Sequence, residues 1–456
     1  MNTASSFHEH ILSGRRAFAA ICGETPIPRF RKVRQKFPKD RIQDIPKAVR
    51  ETLRSSGCLD KIRPGTRVAL AVGSRGIANL QSMVATLVLC LKEAGAEPFI
   101  VPAMGSHGGA TAAGQEAMLA TLGITEEACG APVRSSMEVV RIGETTAMVD
   151  GIAVPFPVYM DALALAADAV IPVVRVKPHT AFRGPVESGI CKMLVIGLGK
   201  HTGALAYHKY GLGPFASVIP KVAEYMLQRV TVPFSLAAVE NAFHETAHIE
   251  AVPGEATLGQ EPKLLEKAFS LMGKIFFDQL DLLIVEEIGK NFSGDGADPN
   301  ITGSYATPYA GKGLQAASRV ILRLSEESHG NALGLGMADF TTVRAVLQID
   351  PVATYTNSMT SRVSCVAKLP LVMPDDELAI RAGIYNSTSA TADTPRIVKI
   401  ANTNDVEIIE ISEALWPEAE ADARIVLEGE PFELAFDTGH MLVTVKRKSQ
   451  VQNALQ

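Results

Sequence analysis

Residues 67 to 122 constrain this chain more than any other stretch. TRVALAVGSRG opens with an apolar run ending in glycine, and IANLQSMVATLVLCLKEAG follows with helical periodicity closed by Gly95. AEPFIVPAMGSHGGAT then gives a second short apolar run, a glycine-rich turn and a helix expected from about Thr111 to Leu122. Strand, helix, strand, helix in that order is a βαβ unit with a right-handed crossover and a parallel sheet. Ligands of such sheets gather at the carboxyl ends of the strands, which places Ser74, Arg75, Ser106 and His107 on one rim.

The same logic extends along the chain. ADAVIPVVRVKPHT is a strand running into a polar loop, and LDLLIVEEIGKNFSGDG is a strand with Glu286, Glu287, Lys290 and Asn291 at its end. RVILRLSEESHG, RIVKIA, VEIIEIS and HMLVTVKR supply further strands. The expected fold class is α/β, as two α/β domains with a mainly parallel sheet in the first. EAVPGEATLGQEP, residues 250 to 262, is the candidate boundary region, and the division taken is 1–275 and 276–456.

With 47% hydrophobic and 20% charged residues, the composition is that of an ordinary soluble globular protein. A net charge of -5 without a Lys/Arg cluster argues against nucleic acid as a partner and for a small molecule. No apolar run reaches the roughly 18 to 20 residues that cross a bilayer, and the start MNTASSFHEHILSGRRAF has no signal-peptide core, so a cytoplasmic protein is expected. The six cysteines form no C-x-x-C pair and read as buried, reduced thiols.

One segment concentrates the ionisable chemistry. RVKPHTAFRGPVESGICKMLVIGLGKH, residues 175 to 201, sets Arg175, Lys177, His179, Arg183, Glu187, Lys192, Lys200 and His201 in an apolar, glycine-rich run. His179 follows a proline at a strand end, and a neutral imidazole is the natural acid or base near physiological pH; a satisfied structural histidine is the other reading. GSHGGAT brings glycines that let a backbone approach a ligand, ahead of a helix N-terminus that suits an anion; a plain turn with a solvated His107 is the alternative. Arg75 offers a planar fork for a carboxylate. EEIGKNFSGDGADPNITG folds over a phosphate or simply makes turns. HETAH, residues 244 to 248, matches the helical zinc pattern H-E-x-x-H, but the flanking period-two alternation reads as a hairpin.

Taken together, GSRG, GSHGGAT, RVKPHTAFRGPVESGICKMLVIGLGKH and EIGKNFSGDGADPNITG resemble the nickel-dependent lactate racemase superfamily, in a divergent branch of it. GMADFTT and PRIVKIANTNDVEIIEISEALW extend the resemblance to most of the chain. It implies an interdomain active-site cleft holding a nickel-pincer nucleotide, and an isomerase that inverts the C2 stereocentre of a 2-hydroxy acid by hydride transfer to and from that cofactor. His107 and His179 would be the two acid/base residues on opposite faces of the substrate. Arg75, Lys290 and Ser74 would bind substrate; Gly105, Ser106, Gly108, Lys192 and Lys200 would contact the cofactor; His201 would ligate nickel. The spacing of Lys192, Lys200 and His201 from His179 departs from the family's pattern, and Val72 stands where an acidic residue is expected three positions before Arg75. The departures point to a 2-hydroxy acid other than lactate. Transient contact with cofactor-building proteins follows from the resemblance, and self-association into a homo-oligomer is allowed.

Two other classes compete. A zinc metallohydrolase would need HETAH to be helical with a third ligand downstream. A noncatalytic small-molecule-binding homologue would keep the scaffold and bind ligand without turnover.

Overall fold

A computed structural model of the chain describes residues 6–74, 76–311, 313–387 and 394–443. Its strands, in chain order, are β1 (Phe30–Gln35), β2 (Arg67–Val72), β3 (Glu97–Pro102), β4 (Val139–Val149), β5 (Ile152–Asp161), β6 (Ala169–Arg175), β7 (Phe234–Glu240) and β8 (Thr246–Pro253). They continue with β9 (Gln279–Ile288), β10 (Gln315–Leu324), β11 (Phe340–Thr342), β12 (Leu371–Met373), β13 (Ile397–Ile400), β14 (Ile408–Ser412) and β15 (Ile425–Phe432). The architecture is mixed α/β, with parallel-rich sheets.

The described residues divide into two compact units, one of residues 39–272 and one that joins residues 6–38 to the segment from 273 to 443. This corrects the expected membership of the N-terminal residues. β1 runs antiparallel between β14 and β15, so it completes the sheet of the C-terminal unit. Backbone hydrogen bonding across such sequence distance leaves no periodic signal within β1 itself.

In the 39–272 unit the sheet order is β3-β2-β6-β7-β8. The first four strands are parallel, and β8 returns antiparallel to β7. Both faces are buried, which is why β2, β3 and β6 read as unbroken apolar runs. Ala69, Ala71, Phe99, Val101, Val170 and Val174 pack on one face, beneath Leu194, Val218, Val222 and Leu264. Val68, Leu70, Val72, Ile100, Ile171 and Val173 pack on the other, against Val49, Leu53, Val84 and Leu87 from the helices Ile45–Ser55 and Leu80–Glu93. The period-two split between the faces is the strand repeat itself. The expected helix after GSHGGA is Ala112–Thr121, with the Thr111 side chain accepting the Gly114 N–H at its start. A hairpin of β4 and β5, absent from the sequence reading, lies outside this sheet.

The chain leaves β2 toward β3 on one side and β6 toward β7 on the other. The switch point of the sheet therefore falls between β2 and β6, the position where doubly wound sheets open a crevice. Ser74 follows β2, His179 follows β6, and the GSHGG loop follows β3.

The other unit carries an eight-stranded sheet of order β12-β11-β10-β9-β13-β14-β1-β15. β12 through β13 are parallel, while β14, β1 and β15 add antiparallel pairs. Strands expected at 396–401 and 406–412 are present as β13 and β14. Most of the strand expected in HMLVTVKR lies outside the described residues, and its described part holds only a bridge between Phe436 and Leu442. No helix among the described residues is long and apolar enough to cross a membrane. All six cysteines are free, and all but Cys365 are buried.

Candidate active site

The loop after β3 is the tightest part of the rim. Gly105 and Gly108 have φ of 60° and 67°, a region that favours glycine. A Cβ on Gly108 would stand 2.6 Å from the backbone nitrogen of Gln115, and one on Gly105 would stand 3.3 Å from the carbonyl of Ile196. Protein packing thus leaves no room for a Cβ at Gly108 and crowds one at Gly105, beside the left-handed φ that both share. Ser106, half-buried between them and His107, closes the turn. His107 is exposed, and its Nδ1 lies 2.5 Å from the Ser74 hydroxyl, joining the loops after β2 and β3. Arg75, the expected carboxylate clamp, lies outside the described residues.

His179 sits in a network made by its own loop. Its N–H donates to Glu187 Oε2 at 2.6 Å, its carbonyl accepts from Arg183 at 2.6 Å, and its Nδ1 accepts the Ala181 N–H at 3.1 Å. The ring packs on Phe182 with centroids 4.4 Å apart. Burial, reinforced by the positive charges of Lys192, Lys177, Arg183 and His208, holds its pKa well below the ordinary histidine value. The imidazole is therefore neutral, and with Nδ1 accepting, its proton belongs on Nε2. Lys192, Lys177 and Arg183 make this corner of the rim attractive to an anion.

The segment from 189 to 208 contains an irregularity at its centre. A short helical turn Ile190–Lys192 passes through a π turn, Met193–Gly197, before the helix Lys200–His208. Such π turns often mark functional segments. Lys192 is half-buried and its charge reaches His179. His201 presents a buried Nδ1 that has no hydrogen-bond partner among the described residues, and in the Nε2–H tautomer that atom is open to a ligand.

Lys200 departs from its expected role. It is fully buried, with Nζ hydrogen-bonded to the Pro102 carbonyl and, at 3.1 Å, to Gln115 Oε1. Its ammonium is also 3.0 Å from Asp161 Oδ2, an ion pair in which that oxygen takes no aligned hydrogen bond. Burial lowers its pKa and Asp161 acts against that. All of its donors face the interior, so this lysine braces the fold and presents no group to a cofactor.

Other charges of the 175–201 segment are structural as well. Arg175 pairs with half-buried Glu240, which also accepts the Ala78 N–H at 2.8 Å and so ties the loop after β2 to the ends of β6 and β7. Burial works to raise the Glu240 pKa, but Arg175, the Ala78 N–H and His244 together hold it below its ordinary value. Glu187, 2% exposed, accepts from His179 and Gly184. Sequence reading missed Gln115, Asp161 and Glu240, whose only local signal is a polar residue in or ending an apolar element.

Lys290, in the other unit, follows β9 and donates to the Gly294 carbonyl and to Asn357 Oδ1 at 2.6 Å. EIGKNFSGDG thus closes on itself through this lysine.

HETAH forms the corner of the β7–β8 hairpin. His244 lies in the turn and His248 within β8, beside Glu250 at 3.1 Å. The helix that brings the two histidines of a zinc motif together is absent here, and no group of three or more His, Cys, Asp or Glu among the described residues could hold a metal. Among the described residues the unpartnered His201 Nδ1 is a donor that would suit a metal arriving with its other ligands.

No family model and no curated protein matches the chain. Among solved structures it is similar to the lactate racemase apoprotein from Thermoanaerobacterium thermosaccharolyticum, at 14% identity and a TM-score of 0.45, over 75% of this chain and 87% of that one.

Proposed function

We propose that the protein is a 2-hydroxyacid racemase or epimerase using a nickel-pincer nucleotide. The observation that carries this reading is the rim of the 39–272 unit. His107 with Ser74, and His179 with its surrounding cations, stand at the carboxyl ends of β3, β2 and β6, neighbours in the order β3-β2-β6. Two strand spacings are roughly 10 Å, a span suited to a small acid between two histidines. The sequence motifs supply the chemistry that this arrangement would serve.

His201 would hold the metal through its unpartnered Nδ1, and Lys192 would contact the cofactor. When bound, that cofactor supplies the hydride acceptor. The chain's own groups manage charge and protons. Lys192, Lys177 and the proposed clamp Arg75 draw in and orient the substrate carboxylate. His107, whose Nδ1 contacts a hydroxyl able to donate or accept, takes the proton of the substrate hydroxyl. His179 enters neutral with Nε2–H and hydrogen-bonds the substrate oxygen on the other face. His107 then returns that proton to the product oxygen, because a neutral His179 that gave up its Nε2–H would be left as an imidazolate; the role of His179 is to hold and orient the oxygen.

The test is metal content and intact mass of protein made alongside the cofactor-building enzymes, with chiral chromatography of single-enantiomer 2-hydroxy acids. Near-stoichiometric nickel, lost in His201→Ala, together with inversion of a 2-hydroxy acid supports the reading. Nickel retained in His201→Ala removes that ligand, and loaded protein inert toward mono- and dicarboxylic 2-hydroxy acids overturns the function.

A further inference from the structure

Three fully buried polar side chains form one chain beneath the candidate site: Asp161, Lys200 and Gln115 are each 0% exposed. Asp161 ends β5, caps the Ala164 N–H with Oδ1 at 2.8 Å and faces Lys200 Nζ with Oδ2 at 3.0 Å. Lys200 Nζ donates to Gln115 Oε1 and to the carbonyl of Pro102, the last residue of β3. Gln115 then donates both hydrogens of Nε2 upward, to the Gly105 carbonyl at 2.9 Å and the His107 carbonyl at 3.2 Å. The glutamine thus spans the turn from its base to its catalytic candidate.

The backbone around the chain is committed to it. Lys200 takes a left-handed φ of 51°, costly for a lysine and sustained only where the surroundings over-determine it. His201 follows directly, so the residue that anchors the buried chain also fixes where the candidate metal ligand begins. Gly114 and Gln115 press against Gly108 so closely that no Cβ fits there. A buried amide with both ends satisfied fixes geometry better than an apolar contact of equal size, because any displacement leaves polar groups unpaired.

We infer that Gln115, anchored by the Lys200–Asp161 pair, is the positioning residue that sets His107 relative to His201. The inference rests on the proposed reaction for its catalytic meaning, while the tether itself is a property of the protein without cofactor. Its parts are separable by chemistry. Gln115→Glu keeps the acceptor toward Lys200 and removes both donors to the loop. Gln115→Met removes both ends.

Two measurements on cofactor-free protein test the tether: hydrogen exchange of amides 105–111 by mass spectrometry, and the NMR titration of the His107 imidazole. In Gln115→Glu the loop amides should exchange roughly five- to tenfold faster for each bond lost, with a displaced His107 titration and an unchanged overall fold. Gln115→Met should loosen the loop at least as much. In loaded enzyme kcat should fall about tenfold or more, with KM within about twofold. Folded Gln115→Glu with parental loop exchange and a parental His107 titration overturns the inference, whether or not Gln115→Met folds. A loosened loop with unchanged kcat confines Gln115 to a structural role and also overturns it. Loosening in the variants of a protein whose parent shows no turnover of any 2-hydroxy acid refutes the proposed function and leaves the tether standing.

Discussion

Replacing Lys200 by methionine isolates the buried pair most cleanly. The variant keeps the length and the left-handed strain of the backbone at this position, since neither residue is glycine. It removes one charge and leaves the Asp161 carboxylate, fully buried and bound only by the Ala164 N–H, without its counter-charge. The Pro102 carbonyl and Gln115 Oε1 lose a donor together with it. Breaking a buried pair from one side costs about 3 to 5 kcal/mol. At about 1.4 kcal/mol for each tenfold, amides in the centre of β2 and β6 should exchange about two to four powers of ten faster if they open with the whole unit. Adding Asp161→Asn should recover most of the loss, because two neutral groups replace one stranded charge. A single variant that loses less than about 1 kcal/mol would refute the reasoning, for it would mean that Asp161 does not stay charged and dry.

The other predictions concern the rim. Gly108→Ala should destabilise by about 2 kcal/mol or more, adding a backbone clash to the left-handed penalty, whereas Gly109→Ala, with φ of 65° but open space around it, should lose only about 1 kcal/mol; equal thermal shifts would refute the packing account. His107→Ala and His179→Ala should each abolish stereochemical inversion in loaded enzyme with unchanged circular dichroism, and full activity in either would remove the two-histidine scheme. Because the His179 pKa is depressed in the folded protein, the unfolded chain binds the extra proton first as pH falls. Its contribution to stability is complete above the ordinary histidine value of about 6.5 and is lost as pH falls toward the depressed value. Thermal unfolding of the parent should therefore weaken more steeply than that of His179→Ala between about pH 7 and pH 5; parallel curves would show that the ring is not held neutral.

Much of this was legible in the sequence. The runs VALAV and PFIVP are apolar without alternation because both faces of their sheet are covered, and that alone announces a parallel sheet with helices on both sides. GSHGGAT and RVKPHT follow strands, so their histidines had to lie on the carboxyl rim. The limits of local pattern show at Lys200. Beside His201 and at the end of a glycine-rich run it reads like a group waiting for a ligand, and only the approach of Pro102, Gln115 and Asp161 from elements far away in sequence turns it inward.

β1 makes the same point at the scale of a unit. Nothing in its residues marked it as a strand, and its sheet lies in the unit built mostly from residues beyond 273. The sequence by itself determined the strands and helices of the βαβ unit, their parallel pairing and the rim on which the histidines stand, because apolar period and glycine placement are local properties of the chain. Tertiary structure alone decided which charges face the rim and which are consumed beneath it. A lysine and a glutamine carry no mark of their partners, and burial of a charge is settled only when the opposite charge arrives.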